Sequence, residues 1–136
     1  MPSKYFLDTN TLIDLATNER EFHKEAVDMV LLGAKRGDEF FAGMSSLKDM
    51  YYIMRRQYVN NEQEVRTVVK RVRESFIMVD LTSGIADRAL SSDEIDFEDG
   101  IIRAYAEMTG CDAIISRDAK AFKSSLLPRI EPKDFC

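Results

Sequence analysis

Four aspartates carry the chemistry that this chain can be expected to do. They are Asp8 in Phe6-Leu7-Asp8-Thr9-Asn10, Asp49 in Ser45-Ser46-Leu47-Lys48-Asp49, Asp99 in Asp96-Phe97-Glu98-Asp99, and Asp118 in Ile114-Ile115-Ser116-Arg117-Asp118. Asp8 and Asp118 follow short apolar runs that read as buried parallel strands. Asp49 and Asp99 fall near the starts of helices. Ligands in open α/β sheets gather beyond the carboxyl ends of the strands, and helices that follow strands begin on that same rim. Taken singly, each aspartate has an ordinary explanation: carboxylates favour helix starts and turns. Taken together, the four predict one acidic pocket. Close carboxylates repel one another and resist desolvation unless a cation neutralises them. A hard divalent ion such as Mg²⁺ or Mn²⁺, keeping several waters, suits that donor set. An ion so held polarises a phosphoryl oxygen and lowers the pKa of bound water, which points to phosphodiester hydrolysis.

The elements that must position these side chains follow from periodicity and punctuation. Strands are expected at Tyr5–Leu7, Phe40–Ala42, Phe76–Val79 and Ala113–Ile115, with a final edge strand near Ile130. Helices are expected over Thr11–Ala16, Arg20–Lys35 (stopped by Gly37), from a Ser45 or Ser46 cap to Tyr58, from an Asn61 cap to Ser75, over Ser83–Leu90, and over Phe97–Met108, with Asp96 as its N-cap and Gly110 after its end. One helical turn is expected at Ala119–Lys123. Strands alternating with helices imply βαβ units. The expected fold is α/β: three layers, α/β/α, around a central, mainly parallel sheet of four to five strands. If the first and fourth strands are neighbours, Asp8 and Asp118 leave the same edge.

A chain of 136 residues corresponds to about one domain, and no composition shift or linker divides it. No apolar run approaches the ~20 residues of a membrane span, and the N-terminus lacks a signal-peptide pattern, so a cytoplasmic protein is expected. Cys111 and Cys136 form no metal or redox motif; Cys111 reads as a packed small hydrophobe. The single histidine, His23, reads as a solvated surface residue, and it leaves neither a Cys/His zinc site nor a histidine-dependent triad. The net charge of −5 argues against a general nucleic-acid coat. Charge is nonetheless uneven: Arg55, Arg56, Arg66, Lys70, Arg71 and Arg73 face only Glu62 and Glu64 in the stretch 55–73. Such an arm can steer a polyanion, although the simpler reading is a pair of solvated helix faces. Lys48, Arg55, Arg71 and Arg73 are the candidate RNA contacts.

The motifs resemble those of the PIN domain, a small metal-dependent nuclease fold. Leu7-Asp8-Thr9-Asn10 is similar to the family's start. Asp99 followed by Gly100-Ile101-Ile102-Arg103-Ala104-Tyr105-Ala106 is similar to its third acidic motif, and Asp112 to Asp118 to its last strand and acidic end, with Phe122 where a Phe usually follows. The resemblance spans nearly the whole chain in order. It implies that Asp8 is the central metal ligand and that Asp99 and Asp118 complete a Mg²⁺ or Mn²⁺ site. It also implies that Asp49 is a ligand or the base that orients water, and that Asn10 and Ser116 hold the carboxylates from behind. Asp96 is the alternative to Asp99, and Asp14 is expected to stay on its helix face. The second acidic position is usually Glu; here Asp49 is one methylene shorter. Size and lack of extra domains look like the VapC-type toxins of toxin–antitoxin pairs. That likeness implies a ribonuclease acting on structured RNA such as tRNA or rRNA, a small antitoxin partner and a homodimer. The Tyr51-Tyr52 pair with Met50 and Met54 is a candidate antitoxin groove or dimer face, or else core. A PIN-fold binding module with a structural metal is the alternative. A haloacid-dehalogenase-type phosphatase is disfavoured because Asn10 stands where a second Asp is required.

Overall fold

A computed structural model describes residues 2–136. Strand β1 (Lys4–Leu7) leads through Asp8 into helix α1 (Thr9–Ala16). Helix α2 (His23–Arg36), strand β2 (Glu39–Gly43), helices α3 (Met44–Gln57) and α4 (Glu62–Ser75) and strand β3 (Ile77–Val79) follow. Helices α5 (Ser83–Leu90) and α6 (Phe97–Met108) then precede strands β4 (Ala113–Ile115) and β5 (Arg129–Ile130), and the 3₁₀ turn Pro132–Asp134 comes last. The five strands form one sheet in the order β3-β2-β1-β4-β5, and every pairing is parallel. This is the expected three-layer α/β/α fold. No helix among the described residues is long and apolar enough to cross a membrane.

Side chains alternate across the sheet, as strand geometry requires. Leu7, Phe40, Ala42 and Ile115 pack on one face against Leu12, Met29, Met50, Met54, Val65 and other residues of α1 to α4. Phe6 and Ile114 pack on the other against α5 and α6. The Phe6 ring stacks on Tyr105 with centroids 5.2 Å apart. Met50 and Met54 are therefore core; of the candidate docking group only Tyr52 is largely exposed.

The rim is built by close joints between strand ends and helix starts. Leu7 pairs with Ile115 in parallel register, and the Asp8 N–H donates to the Ile115 carbonyl (3.1 Å). Neither Ser45 nor Ser46 caps α3. The helix starts at once from Gly43, whose φ and ψ are extended and which offers no side-chain cap. A Cβ on Gly43 would run into the Tyr105 ring, so only glycine lets strand and helix join this tightly. The two serines brace the joint: Ser45 Oγ meets Tyr105 Oη at 2.9 Å, and Ser46 Oγ meets Thr9 Oγ1 at 2.8 Å.

Other expectations need correction. Residues 17–22 are turns, and α2 starts at His23 rather than Arg20. His23 is half-buried, with Nδ1 donating to the Asp14 carbonyl (2.7 Å). Residues 119–123 form turns and no helix; Phe122 has φ 65° and is buried, with its N–H donating to Glu94 Oε1 (2.8 Å). Burial of the ring and that hydrogen bond hold a conformation that costs a non-glycine residue about 1–2 kcal/mol. Asn61 does cap α4, accepting from the Glu64 N–H, and Asp96 caps α6.

The largest departure is Asp14. It is fully buried, and Arg20 Nε (3.0 Å) and Arg117 Nε (2.8 Å) both donate to its carboxylate. Arg117 also lies over the Phe22 ring, 4.1 Å from its centroid. The pair fixes the residue between Ser116 and Asp118, and so fixes the end of β4 against α1. Removing one partner of a buried ion pair strands the others and costs about 3–5 kcal/mol. Asp14→Ala is expected to lower stability by that amount in urea denaturation; an unchanged midpoint would show that the two arginines do not depend on it.

Candidate functional site

Asp8 ends β1 and caps α1. Its Oδ1 accepts from the Thr11 N–H (2.9 Å) and from Thr11 Oγ1 (2.7 Å). Ser116, fully buried at the end of β4, also hydrogen-bonds the Asp8 side chain. Ser116 Oγ accepts in turn from the Asp118 N–H (3.1 Å). One hydroxyl thus joins two of the four aspartates. Burial raises the Asp8 pKa, opposed by Ser116, Thr11 and the Arg117 charge.

Asp99 arrives from the other side of the rim. Asp96 Oδ1 accepts from the N–H groups of Glu98 (2.7 Å) and Asp99 (3.3 Å), which sets the first turn of α6. The Asp99 carboxyl is pushed up from 3.8 to about 6, first by burial, then by the charges of Asp96, Asp118, Asp8 and Glu94. Each of those four neighbours is a carboxylate. Asp99 is thus within electrostatic reach of Asp8 and Asp118, as the sequence leads one to expect.

A pocket of about 350 Å³ opens beside these groups. Asp8, Asn10, Lys48, Asp49, Glu98 and Asp99 are among its walls, and Lys48 is the one cation there among the described residues. Asp118 and Asp96 stand outside the lining and act on Asp99 through their charge. Asp49 is part of the same lining. Its charge raises the pKa of Glu98 after burial does, and it is not among the charges acting most strongly on Asp99. Asn10 does not hold a carboxylate; its Oδ1 accepts from Arg20 Nη2 (3.0 Å). Among the described residues, no three His, Cys, Asp or Glu side chains already stand at the mutual spacing of a metal-ligand set.

The basic candidates divide. Lys48 lines the acidic pocket and also a groove between α3 and α4, which Arg73 shares. Arg55 is tied to Asn60 (3.2 Å) and lies near Glu62 (3.8 Å). Arg71 faces a separate apolar groove beside Val27, Leu31 and Phe76. Two residues on a helix differ by roughly 200°, which is why Arg71 and Arg73 cannot form one patch.

Sequence reasoning missed Glu98 and Glu94 at the rim and the two arginines on Asp14. A signal for the latter exists: Asp14 interrupts the apolar run Leu12-Ile13 and Leu15-Ala16, and a buried carboxylate needs cationic partners.

Metal-free stability should report the strained carboxylates. The folded Asp99 value of about 6 lies above its ordinary 3.8. Its support for the fold is therefore complete below pH 3.8 and is lost as pH rises through about 6. In EDTA, Asp99→Asn is expected to melt about 2–4 °C above the parent at pH 8, with the gap closing toward pH 4. A pH-independent difference would contradict the assignment.

A PIN-domain family model matches residues 4–120. Solved structures share the fold. The VapC20 toxin of Mycobacterium tuberculosis, described as cleaving the sarcin-ricin loop, aligns with TM-score 0.65 and 16% identity over 81% of this chain and 86% of its own. VapBC2 from Rickettsia felis, bound to a promoter DNA fragment, aligns with TM-score 0.73 and 13% identity over 94% and 98%. FitAB bound to a DNA fragment aligns with TM-score 0.64 and 16% identity over 95% of each chain. No curated protein sequence matches the chain.

Proposed function

The chain belongs to the PIN-domain family, and from that premise we propose that it is a metal-dependent endoribonuclease, the toxin of a toxin–antitoxin pair. The observation that carries the reading is the convergence of Asp8, Asp49 and Asp99 on one pocket at the strand-end rim, with the Asp118 charge felt at Asp99. Paired carboxylates at a strand-end rim are a destabilising arrangement that a divalent cation relieves. The donor set is hard oxygen, which fits Mg²⁺ or Mn²⁺. Asp8, Asp99 and Asp118 are the residues to hold the ion. When bound, it supplies positive charge to a phosphoryl group and makes water a better nucleophile.

The protein's own groups divide the remaining work. Ser116 holds Asp8 and the Asp118 backbone in one hydrogen-bonded line. Asp96 fixes the turn that presents Asp99. Asp49, in the lining of the same pocket with Glu98, would accept a proton from attacking water. Lys48, in the same lining, would supply a cation for a substrate phosphate. Structured RNA such as tRNA or rRNA is the substrate class, and cleavage takes place in the cytoplasm by a homodimer. A small antitoxin partner is supported by the likeness to structures described as VapBC and FitAB complexes.

One observation favours a second reading. Asp49 is shorter than the usual Glu, and its charge is felt at Glu98 rather than strongly at Asp99. A PIN-fold module that binds RNA or protein around a structural ion, with little turnover, accommodates that placement.

Cleavage of total RNA by the purified protein with Mg²⁺, Mn²⁺ or EDTA separates the two. Metal-dependent cutting is expected, with a loss of at least about a hundredfold in Asp8→Asn, the scale of removing one strong electrostatic contributor. Equal cutting by Asp8→Asn would sink the site assignment. Metal binding without cutting of any RNA would favour the binding module.

A further inference from the structure

The groove between α3 and α4 lies outside the acidic pocket and shares the Lys48 side chain with it. It has an open volume of about 710 Å³. Met44, Leu47 and Val69 contribute an apolar floor. Four cations line it (Lys48, Arg66, Lys70 and Arg73) against one carboxylate, Glu62. That balance is opposite to the chain's net charge of −5. Glu62 is already engaged: Arg66 Nε lies 2.6 Å from it, and Tyr51 Oη donates to it at 2.5 Å.

The two tyrosines have different roles. The hydrogen bond to Glu62 holds Tyr51, whose ring meets Tyr52 edge-on with centroids 5.7 Å apart. Tyr52 is 56% exposed. An exposed aromatic ring braced by a fixed one, beside cations, is the combination that binds an unpaired nucleotide: a base stacks on the ring and the backbone follows the charges. A duplex hides its base faces and cannot use such a ring. Lys48 belongs to both the groove and the acidic pocket, so a cation stands where the two adjoin.

We propose that the α3–α4 groove receives a single-stranded segment of the RNA substrate next to the cleaved bond, with Tyr52 as the stacking platform and Lys48, Lys70 and Arg73 along the backbone. The proposal rests on the ribonuclease reading for the identity of the substrate. An acidic protein helix would also meet complementary charge here, but would gain nothing specific from the bare Tyr52 ring or from adjoining a phosphodiester site at Lys48.

Binding tests this directly. The probes are a labelled hairpin RNA with a short single-stranded extension and the same hairpin with a blunt end. Both are titrated in the Asp8→Asn background to prevent turnover. The extended hairpin should bind more tightly. Tyr52→Ala should weaken that binding about 5- to 150-fold, the range for one stacked base, and leave the blunt hairpin unchanged. Arg73→Glu should weaken it and flatten its salt dependence. Lys35→Glu, on exposed α2, makes the same charge change elsewhere and should have no effect. Unchanged affinity in Tyr52→Ala and Arg73→Glu, or an equal loss for both hairpins in Tyr52→Ala, would overturn the proposal and leave the groove to a protein partner. Cleavage by the parent protein is scored separately. Active enzyme with an inert Tyr52 sinks the groove alone, and Tyr52-dependent binding without cleavage sinks the ribonuclease alone.

Discussion

The site depends on one backbone pairing, the parallel register of β1 with β4. Leu7 opposite Ile115 places Asp8 beside Ser116, and the hydrogen bond from the Asp8 N–H to the Ile115 carbonyl carries the ladder to its last rung. A slip of one residue would turn Phe6 and Leu7 to the wrong faces. It would also separate Asp8 from the hydroxyl that joins it to Asp118. Both strands are buried on both sides, so the register is specified by packing as well as by hydrogen bonds. The chain order changes direction at β1, with β2 on one side and β4 on the other. That is where open α/β sheets leave a crevice.

The same rim shows a division between structural and functional charge. Asp14 is deeply buried and satisfied by two guanidinium groups, so its burial contributes order. Asp99 is less buried, yet its strongest charged neighbours are carboxylates. Folding brings these groups together against their repulsion, with no evident gain to packing. Strain of this kind clusters at functional sites; both arginines are paired with Asp14 behind the rim, from where the Arg117 charge eases Asp8.

Much of this was legible in the sequence, for identifiable reasons. Helix α6 is bounded by a capping aspartate and a glycine at φ 72°, both local signals, and its limits follow from them. The strands that carry Asp8 and Ser116 are continuous apolar runs. What depended on tertiary placement was less accessible. The adjacency of β1 and β4 could only be stated as a condition. The start of α3 was assigned to serine caps because the close approach of Tyr105 to Gly43 joins residues far apart in the chain. Arg71 and Arg73 were grouped by composition, although helical rotation sends them to different grooves. The resemblance implies that Asn10 holds the carboxylates, whereas its Oδ1 accepts from Arg20. Asp49 is expected on the same rim, and only the structure shows that its charge acts on Glu98.

The central claim is that the raised carboxylates of Asp8 and Asp99 are a cation site. Diffraction from crystals soaked in Mn²⁺ near neutral pH, with anomalous scattering to locate the metal, tests it most directly. An ion held by Asp8 with Asp99 or Asp118 is expected, and its absence in Asp8→Asn. An empty rim in crystals that diffract well, or an ion bound elsewhere on the surface, would contradict it.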